Sequence, residues 1–246
     1  MAKPRVLLKV SGEALKNDES RYPPYSKDAI RSLVDEVSGV LDMCALELVI
    51  GGGNIFRYSR EGIELGIERT IADKMGMVST LLNGLALLDA FENQKHISAR
   101  LVSSLSIEEI AESYRSRKVI RHLEKHAAGE GTRLVLLACG MGEPYFSTDT
   151  AMVHRAGETD ADLILKGTKE RGVFTRDPRI HSDAQFIKEI SCTEFIAQRL
   201  EKILDIDAVV MARNLKRPIR VFDIFTKGNL RRIIHGEDIG TLITPD

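Results

Sequence analysis

Apolar residues fall into two alternating patterns along the chain. Short runs rich in apolar residues at Arg5 to Val10, Leu46 to Ile50, Ala99 to Val102, Leu134 to Ala138, Leu163 to Leu165 and Ile219 to Phe222 predict buried strands. Between them, apolar residues recur at helical spacing. Ile30, Leu33, Val34, Val37 and Leu41 follow Ser26, an N-cap residue, and predict a helix of about four turns. Glu68 to Asn93 contains good helix formers and no proline, which predicts one long helix or two abutting ones. Further helices are predicted at Thr150 to Ala156, Cys192 to Leu204 and Asp207 to Asn214. Strand and helix in alternation imply a mainly parallel sheet between layers of helices, an αβα sandwich. The polar stretch from Lys166 to Asp183 is the nearest thing to a boundary, so residues 1–246 are expected to form a single domain.

Composition narrows the functional classes. With 43% hydrophobic and 29% charged residues, the chain reads as an ordinary soluble enzyme. A formal net charge of -1 offers no electrostatic case for nucleic acid. The unbroken apolar runs are too short to span a bilayer, and MAKPRVLLKV lacks the apolar region of a signal peptide, so no membrane and a cytoplasmic location are expected. Cys44, Cys139 and Cys192 are widely spaced and form no CxxC pair, which predicts buried thiols and no metal site.

Chemistry is concentrated where strands end. Ser11-Gly12, Gly51-Gly52-Gly53-Asn54 and Gly140-Met141-Gly142 each follow a predicted strand, and ligands of parallel sheets gather at carboxyl ends. Glycine allows positive φ and leaves backbone N–H groups unobstructed, so the three turns together suggest a phosphate cradle. No GxxxxGK[ST] string exists, and both GxG pairs lack the third glycine of a dinucleotide fingerprint, with Phe56 and Tyr145 in its place. Lys9, Arg57 and Lys169 lie beside these strand ends. Clustered cations suit phosphoryl transfer, which needs positioning and positive charge more than covalent chemistry.

Six strings, LLKVSGEAL, VIGGGNIFR, ADKMGM, EPYFSTDTA, LKGTKERGVFTRDP and RPIRVF with GNLRRII, resemble in order and spacing the bacterial UMP kinases of the amino acid kinase superfamily, over Arg5 to Thr244. The resemblance implies the amino acid kinase fold, with an acceptor-binding N-terminal part and an ATP-binding C-terminal part. It implies phosphorylation of UMP by ATP in pyrimidine biosynthesis, with Mg²⁺ accompanying the nucleotide. A homohexamer activated by GTP and inhibited by UTP is also implied. By the same resemblance Lys9, Ser11, Gly12, Gly53, Arg57, Thr168, Phe174 and Asp177 meet ATP, with Lys169 near its phosphates. Gly52 and the loop Met141, Gly142, Glu143, Pro144, Tyr145, Phe146, Ser147 and Thr148 meet UMP. Asp73 accepts from the UMP ribose, and Asp149 and Asp205 orient the lysines. An ionised carboxylate suits two hydroxyl donors because it only accepts.

The chain departs from the family pattern at four places. Tyr58 replaces a glycine, Met141 and Glu143 turn GTGNP into GMGEP, and Arg171 stands where an aspartate is usual. These departures keep two alternatives in view: a kinase of the superfamily for carbamate or a carboxylate, and a non-catalytic binder of nucleotides or oxoanions. Other signals point to structure. In HLEKH, His122 and His126 lack the glutamate placement of a zinc protease, so they belong to a solvated helix face. Met75 and Met77 suit a buried face or a subunit contact.

Overall fold

The computed structural model describes residues 3–16, 24–127, 134–200 and 203–246. The chain runs from β1 (Arg5–Val10) through a 3-10 turn at Gly12–Leu15 to α1 (Lys27–Ser38) and β2 (Ala45–Ile50). A π turn at Tyr58–Gly62 leads into α2 (Arg69–Asp89), which continues through a second π turn, Ala90–Gln94. Next come β3 (Ala99–Ser103), β4 (Glu112–Ser113), α3 (Ser116–Ala127), β5 (Leu134–Ala138), α4 (Thr148–Thr159) and β6 (Leu163–Thr168). The last part holds β7 (Val173–Phe174), β8 (Phe186–Ile187), β9 (Glu189–Ser191), α5 (Cys192–Ala197), α6 (Ile206–Asn214), β10 (Ile219–Asp223), α7 (Asn229–Ile234) and β11 (Thr241–Thr244).

Among the described residues, nine strands form one sheet in the order β4, β3, β5, β2, β1, β6, β10, β11, β9. Neighbours run parallel except β10 and β11. Strand β1 lies inside the sheet with both edges paired, so its side chains must go up or down into a helical layer. Val6, Leu8 and Val10 join Leu33, Val34, Val37, Leu81 and Leu230 from α1, α2 and α7. Leu7 joins Val119, Met152, Val153 and Val209 from α3, α4 and α6 on the other face. Two apolar layers on one sheet make the αβα sandwich that the alternation predicts.

The helix ends have local causes. Ser26 Oγ accepts from the Ala29 N–H and starts α1, while Ser147 Oγ accepts from Asp149 and Thr150 and starts α4. Helix α5 carries a capping box of Ser191 and Glu194 but stops at Ala197, well short of the expected Leu204. Arg199 takes φ +53, which breaks the helical path, yet Leu200 and Leu204 are still buried and so preserve the apolar spacing. Strand β6 continues three residues past the expected Leu165, adding Lys166, Gly167 and Thr168. By length and hydropathy the helical stretch Arg69–Gln94 could cross a membrane. Its side facing the sheet packs Met77, Leu81 and Leu87 into the core.

Candidate functional site

At the carboxyl ends of β1 and β2 lies a cavity of 610 Å³ lined by Lys9, Ser11, Gly51, Gly52, Gly53, Arg57, Asp73, Tyr145, Phe146, Ser147, Thr148 and Asp205, among others. The glycine triplet forms one wall, for reasons of space. None of Gly51, Gly52 and Gly53 has positive φ. A Cβ on Gly52 would stand 2.7 Å from the Gly76 carbonyl oxygen of α2, so the first turns of that helix press directly on the loop. Asn83 fixes the contact by donating to the Gly51 carbonyl at 2.7 Å, and it pairs with buried Asn54. Positive φ occurs instead in the loop after β5, at Cys139 (+62), Gly140 (+54), Gly142 (+83) and Tyr145 (+70). The expected glycine conformation is therefore correct for the third turn and incorrect for the second, where close approach is the constraint. Gly12 serves packing too: its Cβ would meet Asn54 Oδ1 and the Gly51 carbonyl.

Behind the cavity sits a buried charge cluster. Because β1 side chains alternate, Lys9 projects from the same face as Leu7, toward α4. Its Cα is in register with that of Lys166 on β6. Asp149, in the first turn of α4, joins both: its Oδ1 is 2.7 Å from Lys9 Nζ, and its Oδ2 accepts from Lys166 Nζ. All three side chains are buried. Burial alone would raise the Asp149 pKa, but the two lysines outweigh it and hold the carboxyl well below the usual range. Burial and the like charge of Lys9 pull Lys166 down to about 8, with Asp149 opposing. Two cations and one anion leave a net positive charge where charge is poorly screened, which favours an incoming anion.

Several motif residues make direct contacts around the cavity. Asp73 accepts from Tyr145 N–H at 2.9 Å and from Arg69 Nε at 3.0 and 2.9 Å. Arg57 folds back to donate to the Gly53 carbonyl at 3.2 Å, with Glu13 3.6 Å from its guanidinium. Cys139 N–H donates to Thr80 Oγ1 at 2.7 Å, tying the loop after β5 to α2. Asp205 caps α6 in position only, since its side chain makes no cap bond.

Other expected residues lie away from this cavity. Met141, Gly142, Glu143 and Pro144 are in the same loop but do not line it. Thr168 spends its hydroxyl on the Glu170 carbonyl at 2.7 Å. Phe174 meets Phe186 edge-on at 5.6 Å, Asp177 accepts from Arg179 N–H, and Lys169 is exposed. Arg171, one of the departures, lies over the Phe186 ring at 4.1 Å, so a cation–π contact accounts for it.

Among the buried charged residues that no motif singles out, Lys166 and Arg155 bear on the site. Lys166 was hidden by ending its strand too early, though a lysine inside an apolar parallel strand is itself the signal. Arg155 on α4 donates to Ser104 Oγ at 3.0 Å and to the Gly140 carbonyl at 3.2 Å, pinning the loop after β5. It also stacks on Tyr114, with 3.7 Å between guanidinium carbon and ring centroid.

Comparison with known proteins gives consistent results. Residues 4–223 match the model of the amino acid kinase family. A uridylate kinase of Salinibacter ruber is 44% identical over 238 residues, covering 96% of this chain and 88% of that protein. A UMP kinase structure from Bacillus anthracis superposes with a TM-score of 0.90 at 31% identity, covering 100% of this chain and 98% of its own. Another from Ureaplasma parvum reaches 0.87 at 29% identity, covering 99% and 100%.

Proposed function

This chain belongs to the amino acid kinase family, and from that premise we propose that it is a UMP kinase, moving the γ-phosphoryl group of ATP to UMP to give UDP and ADP. The observation that carries the assignment is the buried Lys9, Asp149 and Lys166 cluster behind a cavity that also reaches Asp73. Transfer is direct and in line. A UMP phosphate oxygen is already anionic, so no base is required to activate it. Lys9 and Lys166 stabilise the charge that spreads over the transferring group, and Asp149 keeps both ammonium groups pointed at one place. The glycine triplet presents its backbone at the cavity wall to the phosphates, and Asp73 receives the ribose hydroxyls.

Mg²⁺ belongs to the MgATP substrate. Among the described residues no group of three or more His, Cys, Asp or Glu side chains is arranged to hold a metal. Asp205 is the cavity acid beside Lys166 with its side chain free of a cap bond, and it is the residue to meet such an ion's water. The ion supplies charge neutralisation on the phosphates when bound.

Residues 1–246 act as one catalytic domain, whose acceptor half contains Gly52, Asp73 and the loop of Met141 to Thr148. ATP falls to Ser11, Gly12, Gly53, Arg57, Thr168, Lys169, Phe174 and Asp177. The family resemblance supports a cytoplasmic homohexamer under GTP and UTP control. Ile71, Met75, Val78 and Leu82, exposed along one side of α2, supply an apolar face for such assembly.

The test is coupled ADP release with MgATP and a panel of UMP, CMP, dTMP, carbamate and small carboxylates. Turnover confined to UMP is expected. Turnover with carbamate or a carboxylate alone, or ATP binding without any turnover, would overturn the assignment in favour of the corresponding alternative.

A further inference from the structure

The Asp73 carboxylate is engaged by other groups of the protein. Arg69 Nε lies within 3.0 Å of both its oxygens, and Tyr145 N–H donates to Oδ2. A carboxylate offers about four lone-pair positions, so these contacts leave too few for a vicinal diol, which presents two hydroxyl donors at once. Arg69 is one helical turn before Asp73, and such a pair on a half-exposed face would hold weakly on its own. Here it is braced. The guanidinium carbon stands 4.3 Å from the Tyr58 ring centroid and 5.4 Å from that of Tyr145, so the cation is flanked by two aromatic rings. All four residues line the same cavity.

We propose that Tyr58, Arg69 and Tyr145 form a latch that occupies Asp73 in place of the acceptor's hydroxyls, so that Tyr58 is a positioning residue that sets acceptor affinity. The proposal rests on the assignment of this cavity to UMP. Ribose entry must move Arg69 off Asp73, and the ring of Tyr58 resists that movement. Glycine at position 58 would offer no ring, so the departure from the family pattern acquires a specific role: it weakens acceptor binding by stabilising an internal competitor.

One exposed cation–π contact changes an equilibrium by roughly two- to fivefold. Titration calorimetry of UMP alone and of ATP alone, on the full chain, measures this directly. Tyr58→Leu keeps bulk but removes the ring face, and it should bind UMP about two- to fivefold more tightly with ATP affinity unchanged. Tyr58→Phe keeps the ring and should return UMP affinity toward the starting value. Because Tyr58 Cδ2 packs where a Cβ on Gly62 would come within 2.9 Å, Tyr58→Met provides a second non-aromatic replacement with a more adaptable shape. Unchanged or weaker UMP binding in the non-aromatic variants, or phenylalanine behaving like leucine, would overturn the latch while leaving the acceptor assignment intact. Failure of the unaltered protein to bind UMP at all would sink both.

Discussion

Replacing Glu47 by glutamine should make the protein more stable as pH rises, relative to the unaltered chain, and the size follows from where that carboxyl sits. Glu47 projects from β2 onto α4 and is fully buried. Burial pushes its pKa from an ordinary 4.5 up to about 8, against the opposing pull of Thr159, Arg5 and Arg155. The contacts agree with a proton on the group. Thr159 Oγ1 lies 2.6 Å from Glu47 Oε1 and 2.9 Å from the Arg155 carbonyl, and one hydroxyl proton cannot serve both. A neutral Glu47 donating to Thr159 Oγ1 satisfies the set, leaving Oε2 without a hydrogen-bond partner. Between pH 4.5 and 8 the folded chain therefore binds one proton more than the unfolded chain, so this group makes stability fall as pH rises. The slope is about 1.4 kcal/mol per pH unit, which accumulates to about 3 kcal/mol between pH 5 and 7.5. Glutamine cannot titrate, and any fixed cost of its second N–H is the same at every pH. Urea unfolding of both proteins across that range should show the stability difference growing by about 3 kcal/mol in favour of Glu47→Gln. A difference that stays flat with pH would refute the protonated-carboxyl argument.

Three further outcomes follow from the cluster and the loop. Lys166→Met and Lys9→Ala should each lower turnover by roughly two orders of magnitude or more in the ADP-release assay, as loss of one charge-stabilising donor does; a drop under tenfold in either would remove that lysine from the mechanism. Asp149→Asn should cost about 3–5 kcal/mol in urea unfolding, because it leaves two buried lysines without their counter-charge. The contribution of Asp149 is fully present above its ordinary 3.8 and is lost as pH falls toward its depressed folded value, so the variant should also show a shallower acid limb. Arg155→Met should raise KM for UMP and leave KM for ATP unmoved, since it frees the Gly140 carbonyl on the acceptor side only; equal changes in both would indicate general loosening.

The layers of the fold were legible because each side chain of a paired interior strand must enter a helical layer, and unbroken apolar runs such as Leu134 to Ala138 report that directly. Two-residue strands such as β7 and β8 were not, because they carry no period. The premature end placed on β6 had a chemical cause: Lys166 is polar, and apolar pattern reading stops at polar residues. Glu47 and Arg155 fall inside the expected strand and helix, where the periodicity gives a charged residue no separate weight, although all three are charges in apolar settings. At the site, the motifs led to Lys9, Asp73 and the loop of Tyr145 to Thr148, which line one cavity, and to Asp149, which pairs with Lys9 behind it. What they could not indicate was that Gly52 is small to admit a helix, a fact of packing between distant segments, or that Arg69 pairs with Asp73 under the Tyr58 ring, which depends on side-chain conformation and leaves no motif.

The register of β1 against β6 has a consequence for how this chain tolerates change. Lys9 and Lys166 are separated by most of the chain, yet their spacing is set by a ladder of backbone bonds and by nothing in the connecting length. The sheet thus works as a ruler. A slip of one residue would put Leu165 or Gly167 opposite Lys9 and turn Lys166 to the opposite face, disarming the site while keeping the strand. Insertions between the two strands leave the ruler untouched as long as they fall in surface connections. Length variation in connections away from the cavity therefore leaves the lysine spacing intact, and a single residue gained or lost inside either strand does not.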